Sequence, residues 1–297
     1  MRKFGIRLLR LNIDIVYTFF SIFMILLFAK KTKKFSENSS QECLILGNGP
    51  SLLDDLNRIK NNFTNKTLIC VNDFALSQYY LTLQPSVYVF LDPYYWSELD
   101  TDRSEHLELF NNRKKLFDRI LLDTDWPLKI YVPFAFKKSK LYKDCENKFI
   151  KFVFFNSIPI QGFKRFIDFG LNKRLGLLKS SNVLTPAIYY AIFSGFNTVY
   201  LSGADHSWLN AISISHDSKL QMAQLHFDEK KASYKPVYLI PSDSSPAKLH
   251  ELLYVYSNVF KNYWILSNLA KKRNCRIINL TIDSYIDAFP KLIIQNI

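Results

Sequence analysis

The residues best suited to chemistry stand where apolar runs stop. Leu44-Ile45-Leu46 ends in Gly47-Asn48-Gly49-Pro50-Ser51, and a helix-compatible segment follows. A buried parallel strand that breaks into a glycine turn and then a helix presents backbone N–H groups to a phosphate. Gly47 and Gly49 permit close approach of a ligand, and Pro50 suits the first helical position. Leu53 stands where the third glycine of a dinucleotide fingerprint belongs, so the turn favours a mononucleotide. A tight strand-to-helix turn without ligand is the plain alternative. Three further apolar runs end in polar residues: at Asn72-Asp73, at Asp92, and at Gly203-Ala204-Asp205-His206-Ser207. Asn, Asp and Gly favour turns for backbone reasons of their own. That explains one such end more readily than all four.

Acid–base chemistry calls for a group that titrates near neutrality, and histidine is the usual choice. Of the five histidines, His206 is the best placed, beside Asp205 at a strand end. His250 opens a late helix in SSPAKLHELL and is the second candidate. Ordinary packing or hydrogen bonding within the fold competes with a catalytic role for both. His106 falls on a polar helix, and His216 and His226, near Asp217 and Asp228, lack metal-ligand spacing. Two DxD strings occur. Asp100-Thr101-Asp102 reads as a helix cap, whereas Asp123-Thr124-Asp125 follows Arg119–Leu122, which reads as a strand. No metal site is assigned.

The elements that must position these groups read as α/β. Strands are expected at Cys43–Leu46, Thr67–Val71, Ser86–Leu91, Lys129–Val132, Phe152–Phe155, Thr198–Ser202 and Cys275–Leu280. Helices are expected after Ser51, over Ser104–Phe117, over Asn182–Phe193 with Gly195 as its stop, and from Pro246 to Lys272. Ser284–Phe289 begins a closing helical turn. Residues 210–247 are polar, with at most three isolated strand candidates, and suit a lid loop. Residues 163–178 are the least legible.

At 297 residues, 48% of them hydrophobic, the chain can fill one large core. Its formal net charge of +13 is scattered over separate clusters, with no nucleic-acid-binding motif. Anionic lipid headgroups and an anionic nucleotide account for that charge, and no nucleic-acid partner is expected. The four cysteines show no CxxC spacing and three read as small buried hydrophobes in a reducing environment. Residues 1–34 read as a separate membrane-anchor helix: in Leu11–Ala29 the fifteen residues from Ile15 are nearly all apolar, Asn12 and Asp14 shorten the clean part, and basic residues flank both ends. No small-residue cleavage site follows it. An interfacial helix is the alternative to a span. Residues 35–41 form a linker, and 42–297 the catalytic domain.

GNGPSL after the first strand, Asn72 directly after the second, and the YLSGAD unit at 200–205 resemble the bacterial sialyltransferases of glycosyltransferase family 42. The same layout is similar to the MptE-like domain of surface-polysaccharide and flagellin-modification proteins, found also in an archaeal pterin pyrophosphokinase. The resemblance covers about residues 42–100 and 180–290. It implies a Rossmann-like, mostly parallel sheet with helices on both faces (a GT-A-like variant) that binds CMP-sialic acid without a metal or other cofactor. Asn48 and Gly49 would lie along the phosphate, Asn72 against nucleotide or sugar, and Asp92 at a third strand end. The family's late helix-start histidine has its nearest counterpart in His250. Where the family carries a tyrosine, this chain has His206-Ser207-Trp208.

The expected function is transfer of a sugar from a nucleotide donor to a cell-surface glycan or lipid-linked acceptor, at the cytoplasmic face of a bacterial inner membrane. His206, His250 and Asp205 are the catalytic candidates. Gly47, Asn48, Gly49, Pro50, Ser51, Asn72, Asp92, Gly203 and Ser207 are the binding ones. An ATP-dependent pyrophosphokinase and a non-catalytic scaffold of polysaccharide assembly are the alternatives. Oligomeric state is left open.

Overall fold

Seven apolar runs pair side by side into one parallel sheet in the computed structural model, which describes residues 2–33, 35, 41–59, 65–98, 104–180, 182–224, 233–239 and 245–292. The chain opens with α1 (Arg2–Phe28), β1 (Glu42–Leu46), α2 (Leu52–Ile59), β2 (Thr67–Val71), α3 (Tyr79–Leu83) and β3 (Val87–Val89). It continues through α4 (Ser104–Asp123), β4 (Leu128–Pro133), α5 (Lys140–Lys143) and β5 (Ile150–Phe155). A two-stranded pair, β6 (Pro159–Ile160) and β7 (Leu177–Leu178), brackets α6 (Lys164–Asn172) in the segment the sequence left illegible. Then come α7 (Leu184–Phe193), β8 (Thr198–Ser202), β9 (Ile212–Ile214), β10 (Leu220–Gln224), β11 (Ser233–Pro236), α8 (Leu249–Lys272) and β12 (Arg276–Asn279).

The sheet order is β12-β8-β1-β2-β3-β4-β5. Strand β1 lies between β2 and β8, with Ile45 level with Ile69 on one side and Leu201 on the other. Strand order reverses at β1, the kind of place where open α/β sheets bind ligands. Alternation along each strand sends side chains into two cores. Ile45, Ile69, Val71 and Leu201 pack with α7 and α8. Leu44, Leu46, Cys70 and Tyr88 pack against Leu52 and Leu56 of α2 and Leu116 and Ile120 of α4. The fold is therefore α/β and Rossmann-like with helices on both faces. Helix α7 is buried from Leu184 to Ile192, and Gly195 follows it at φ +85°, the left-handed helix stop that its sequence implied. All four cysteines are free thiols, three of them buried.

Three local expectations are corrected. Arg119–Leu122 is the end of α4, because Leu116, Phe117 and Ile120 recur at helical spacing and face the core while Leu122 is exposed. Asp123-Thr124-Asp125 consequently starts on the last residue of a helix that has returned to the amino edge of the sheet, just ahead of β4 and away from the strand carboxyl ends. The strand candidates of 210–247 are not isolated: β9, β10 and β11 form an antiparallel sheet that packs Leu220 and Val237 on Leu252 and Tyr256 of α8. The rest of that expected lid, 225–232 and 240–244, lies outside the described residues, as do His226, Asp228, Asp100-Thr101-Asp102 and most of the 35–41 linker. Residues 284–289 form no helix. Ser284, Ile286 and Ala288 are buried while Tyr285 and Asp287 are not, a two-residue period that suits extended chain.

Candidate active site

The loops after β1 and β8 are zipped together. Gly47 N–H donates to Ser202 O at 2.8 Å and Gly49 N–H to Gly203 O at 2.9 Å. A Cβ on Gly47 would lie 2.4 Å from Gly203 O, and one on Gly49 would lie 1.9 Å from Asp205 Oδ2. Both glycines are thus required by loop-on-loop contact, where the sequence suggested contact with a ligand. The Ser51 N–H donates to Asp205 Oδ1 at 3.2 Å and its hydroxyl to Asp205 Oδ2 at 2.9 Å. The anion at the start of α2 is therefore the protein's own carboxylate, and the N–H groups of Gly47, Gly49 and Ser51 are already committed. Pro50 lies two residues ahead of α2, outside its first helical position.

Asp55, which sequence reasoning passed over, anchors the same loop. Its Oδ2 accepts from Ser202 Oγ, Gly203 N and Thr281 Oγ1, each at 3.1 Å. Thr281 Oγ1 in turn accepts from Ala204 N at 3.1 Å, and Tyr285 N donates to Asp205 O at 2.8 Å. Burial raises the carboxyls of Asp55 and Asp205 above their ordinary 3.8, against the opposing pull of these donors. A signal existed: Asp55 shares the buried face of α2 with Leu52 and Leu56, whereas Asp54 points out.

Asn48 links the β1 turn to the end of β2. With its amide oriented to suit both partners, it donates to Val71 O at 3.3 Å and accepts from Asp73 N at 3.2 Å. Asn72 adopts a left-handed conformation at φ +49°, which Asn tolerates better than most residues. The Tyr88 hydroxyl donates to the Asn72 carbonyl, while the Asn72 Oδ1 atom is buried with no hydrogen-bond partner among the described residues. Asp73 accepts from the Tyr95 hydroxyl at 3.0 Å. Asp92 belongs elsewhere: it is exposed and caps the short turn 93–95 by accepting from Tyr94 N at 2.9 Å. Asp73, and not Asp92, lines the cavity at these strand ends.

A cavity of about 360 Å³ opens over these strand ends, within the roughly 300–1,000 Å³ of small-molecule sites. Gly47 to Pro50, Asn72, Asp73, Gly203, Asp205, His206 and Ser207 line it together with Asn182, Trp208 and Met222. Every expected binding residue except Ser51 and Asp92 is on this wall. No Lys or Arg among the described residues lines it. The wall is rich in hydrogen-bond acceptors.

His206 lines the cavity but is only 5% exposed and sits at φ +54°. Its Nε2 is 2.5 Å from the Tyr263 hydroxyl, which is itself 3.1 Å from Asn182 Oδ1. The Trp208 ring lies 4.2 Å away, centroid to centroid. Burial drives the imidazole from 6.5 down to about 3, with a smaller opposing pull from the Ala204 carbonyl. It is neutral at physiological pH and tied to Tyr263, whose hydroxyl burial holds protonated. His250 is exposed on the first turn of α8 and lines a separate cavity with Lys179, Glu251 and Tyr254. His216 is exposed near the β9–β10 turn. Among the described residues no group of three or more His, Cys, Asp or Glu is arranged to hold a metal ion.

No family model and no curated protein matches the chain. Among solved structures it is similar to the MAf glycosyltransferase from Magnetospirillum magneticum AMB-1, with 14% sequence identity and a TM-score of 0.46. The match covers 97% of this chain and 39% of that one, so this chain spans about two-fifths of that protein's length.

Proposed function

We propose that this chain is a membrane-attached glycosyltransferase that holds a nucleotide-activated sugar in the cavity over β1, β2 and β8. The observation that carries the reading is that cavity: a ligand-sized space at a reversal of strand order, lined by Asn72, Asp73 and Asp205. Ribose and sugar rings present hydroxyl donors, which suit amide and carboxylate side chains such as those of Asn72 and Asp73 on this lining. Asp205 is the proposed base for the acceptor hydroxyl, since burial moves its carboxyl toward the working pH. His206 positions the Asp205 loop through Tyr263. CMP-sialic acid is the donor that the family resemblance implies, and a cell-surface glycan or lipid-linked sugar is the acceptor. Nucleotide donors are cytosolic, which places the cavity at the cytoplasmic face of a bacterial inner membrane.

The test is calorimetric titration of the full chain with CMP-, UDP- and GDP-sugars, and with ATP in the presence of Mg²⁺. Binding of one nucleotide sugar, weakened at least tenfold by Asn72→Gly, supports the reading. Binding of ATP alone transfers it to phosphoryl chemistry, and binding of none by the folded chain overturns it.

A further inference from the structure

Helix α1 is long and apolar enough to cross a bilayer: its Leu11–Phe28 window has a mean hydropathy of 2.0. Yet it does not stand free of the folded domain. The Thr18 hydroxyl accepts from Phe163 N at 3.0 Å. Ser21 is 1% exposed; its hydroxyl donates to Gln161 O at 3.2 Å and accepts from Gln161 N at 3.0 Å. Gly162 lies between them at φ +109°, so close that a Cβ there would be 2.0 Å from Thr18 Oγ1 and 2.8 Å from Asp14 O. Ile25 packs against the main core. Just past the helix, Lys30 exchanges backbone hydrogen bonds with Asn156, N–H to Oδ1 at 3.0 Å and Nδ2 to O at 2.8 Å.

Asp14, Thr18, Ser21 and Ile25 are spaced four, three and four residues apart, so they form one stripe docked along the body. That stripe runs about 16 Å along a helix segment of about 27 Å, which is the middle of any membrane span. The opposite face is apolar and open, with Phe19 69% and Leu26 79% exposed beside Val16, Phe20 and Phe23. Exposed basic residues border the docked segment: Lys164 and Arg165 directly after Phe163, and Lys30, Lys31 and Lys33 at the helix end.

A spanning α1 would carry Gln161–Arg165 into hydrocarbon, where charged side chains and loop backbone are costly. An in-plane α1 has no such conflict. We propose that α1 lies parallel to the surface of an anionic phospholipid bilayer, its Phe19–Leu26 face in the acyl boundary and its basic border against the headgroups. The folded domain and both ends of α1 then share one side of the membrane. This stands independently of what the cavity binds.

The full chain with an N-terminal epitope is bound to sealed phosphatidylglycerol vesicles and treated with external protease. The expected result is loss of epitope together with digestion of the domain. An epitope protected until detergent is added, while the domain is digested, would overturn the proposal. Affinity for phosphatidylcholine vesicles should be lower by at least about tenfold; equal affinity would overturn the charge complementarity. Phe19→Ser with Phe23→Ser should abolish vesicle binding with an unchanged circular dichroism spectrum. Retained binding by that folded variant would overturn the assigned face.

Discussion

Asp205, at the carboxyl end of β8, accepts hydrogen bonds from both the backbone N–H and the hydroxyl of Ser51, 154 residues earlier in the chain. The acid thereby complements the positive amino end of α2 and closes the β1 turn against the β8 turn. Whatever enters the cavity meets this carboxylate rather than a row of unoccupied backbone donors. Substitutions in and around this junction have effects that differ in kind.

Gly49→Ala is expected to destabilise the fold by about 1–3 kcal/mol. The added Cβ meets Asp205 Oδ2 at 1.9 Å and Gly203 O at 2.6 Å, and the second of these is backbone that cannot swing away. Urea unfolding of the variant should show a lower midpoint at unchanged slope.

Asp55→Ala leaves Gly203 N and the Ser202 and Thr281 hydroxyls without their shared acceptor. A loss of at least about 2 kcal/mol is expected. Asp55→Asn keeps an acceptor and removes the charge. Because burial raises this carboxyl, the folded state binds its proton more tightly than the unfolded chain. The resulting stability is present below the ordinary 3.8 and is lost as pH rises through the raised value. The Asn variant should therefore lose stability less steeply than the parent as pH rises through that window, read as Tm against pH.

His206 acts in the opposite sense. Its folded pKa of about 3 lies below the ordinary 6.5, so the unfolded chain takes up the proton first. Stability is fully present above 6.5 and declines as pH falls toward 3, by up to about 1.4 kcal/mol per pH unit from this group. His206→Asn should remove that slope between pH 6 and 4, as measured by chemical unfolding at successive pH values, at the cost of a lower plateau from the lost Tyr263 contact.

Asn72→Gly keeps the left-handed backbone open to this position and deletes an amide whose Oδ1 has no hydrogen-bond partner among the described residues. Stability should change by less than about 1 kcal/mol. Nucleotide-sugar affinity should fall at least tenfold by calorimetry. His250→Ala, at an exposed position in a different cavity, should leave both stability and affinity within about twofold.

Much of the sheet is legible in the sequence because each buried strand is an unbroken apolar run stopped by Gly, Asn or Asp, a signal that is local. Thr67–Val71 and Thr198–Ser202 have the bounds that pattern gives, and Asn182–Phe193 with Gly195 marks α7 within two residues. The same local logic fails at Arg119–Leu122, where an apolar triplet looks like a strand until Leu116 and Phe117 join it on one helix face. It fails again at 284–289, where a two-residue period is too short to recognise without its partners. Asp73 and Asp92 illustrate the limit for the site: both follow an apolar strand, and nothing nearby in sequence says that one faces the cavity and the other caps a surface turn.

The sequence alone determined the parallel α/β sheet, its polar strand ends and the apolar helix at the start, because hydrophobic period and turn chemistry act over a few neighbouring residues. The tertiary structure decided that Gly49 makes room for Asp205, that Asp205 caps α2, that His206 is a neutral partner of Tyr263, and that one stripe of α1 rests on Gln161–Phe163. Those relations join residues between 57 and 156 positions apart. Burial and distance, which set their protonation and their partners, exist only after the chain has closed on itself.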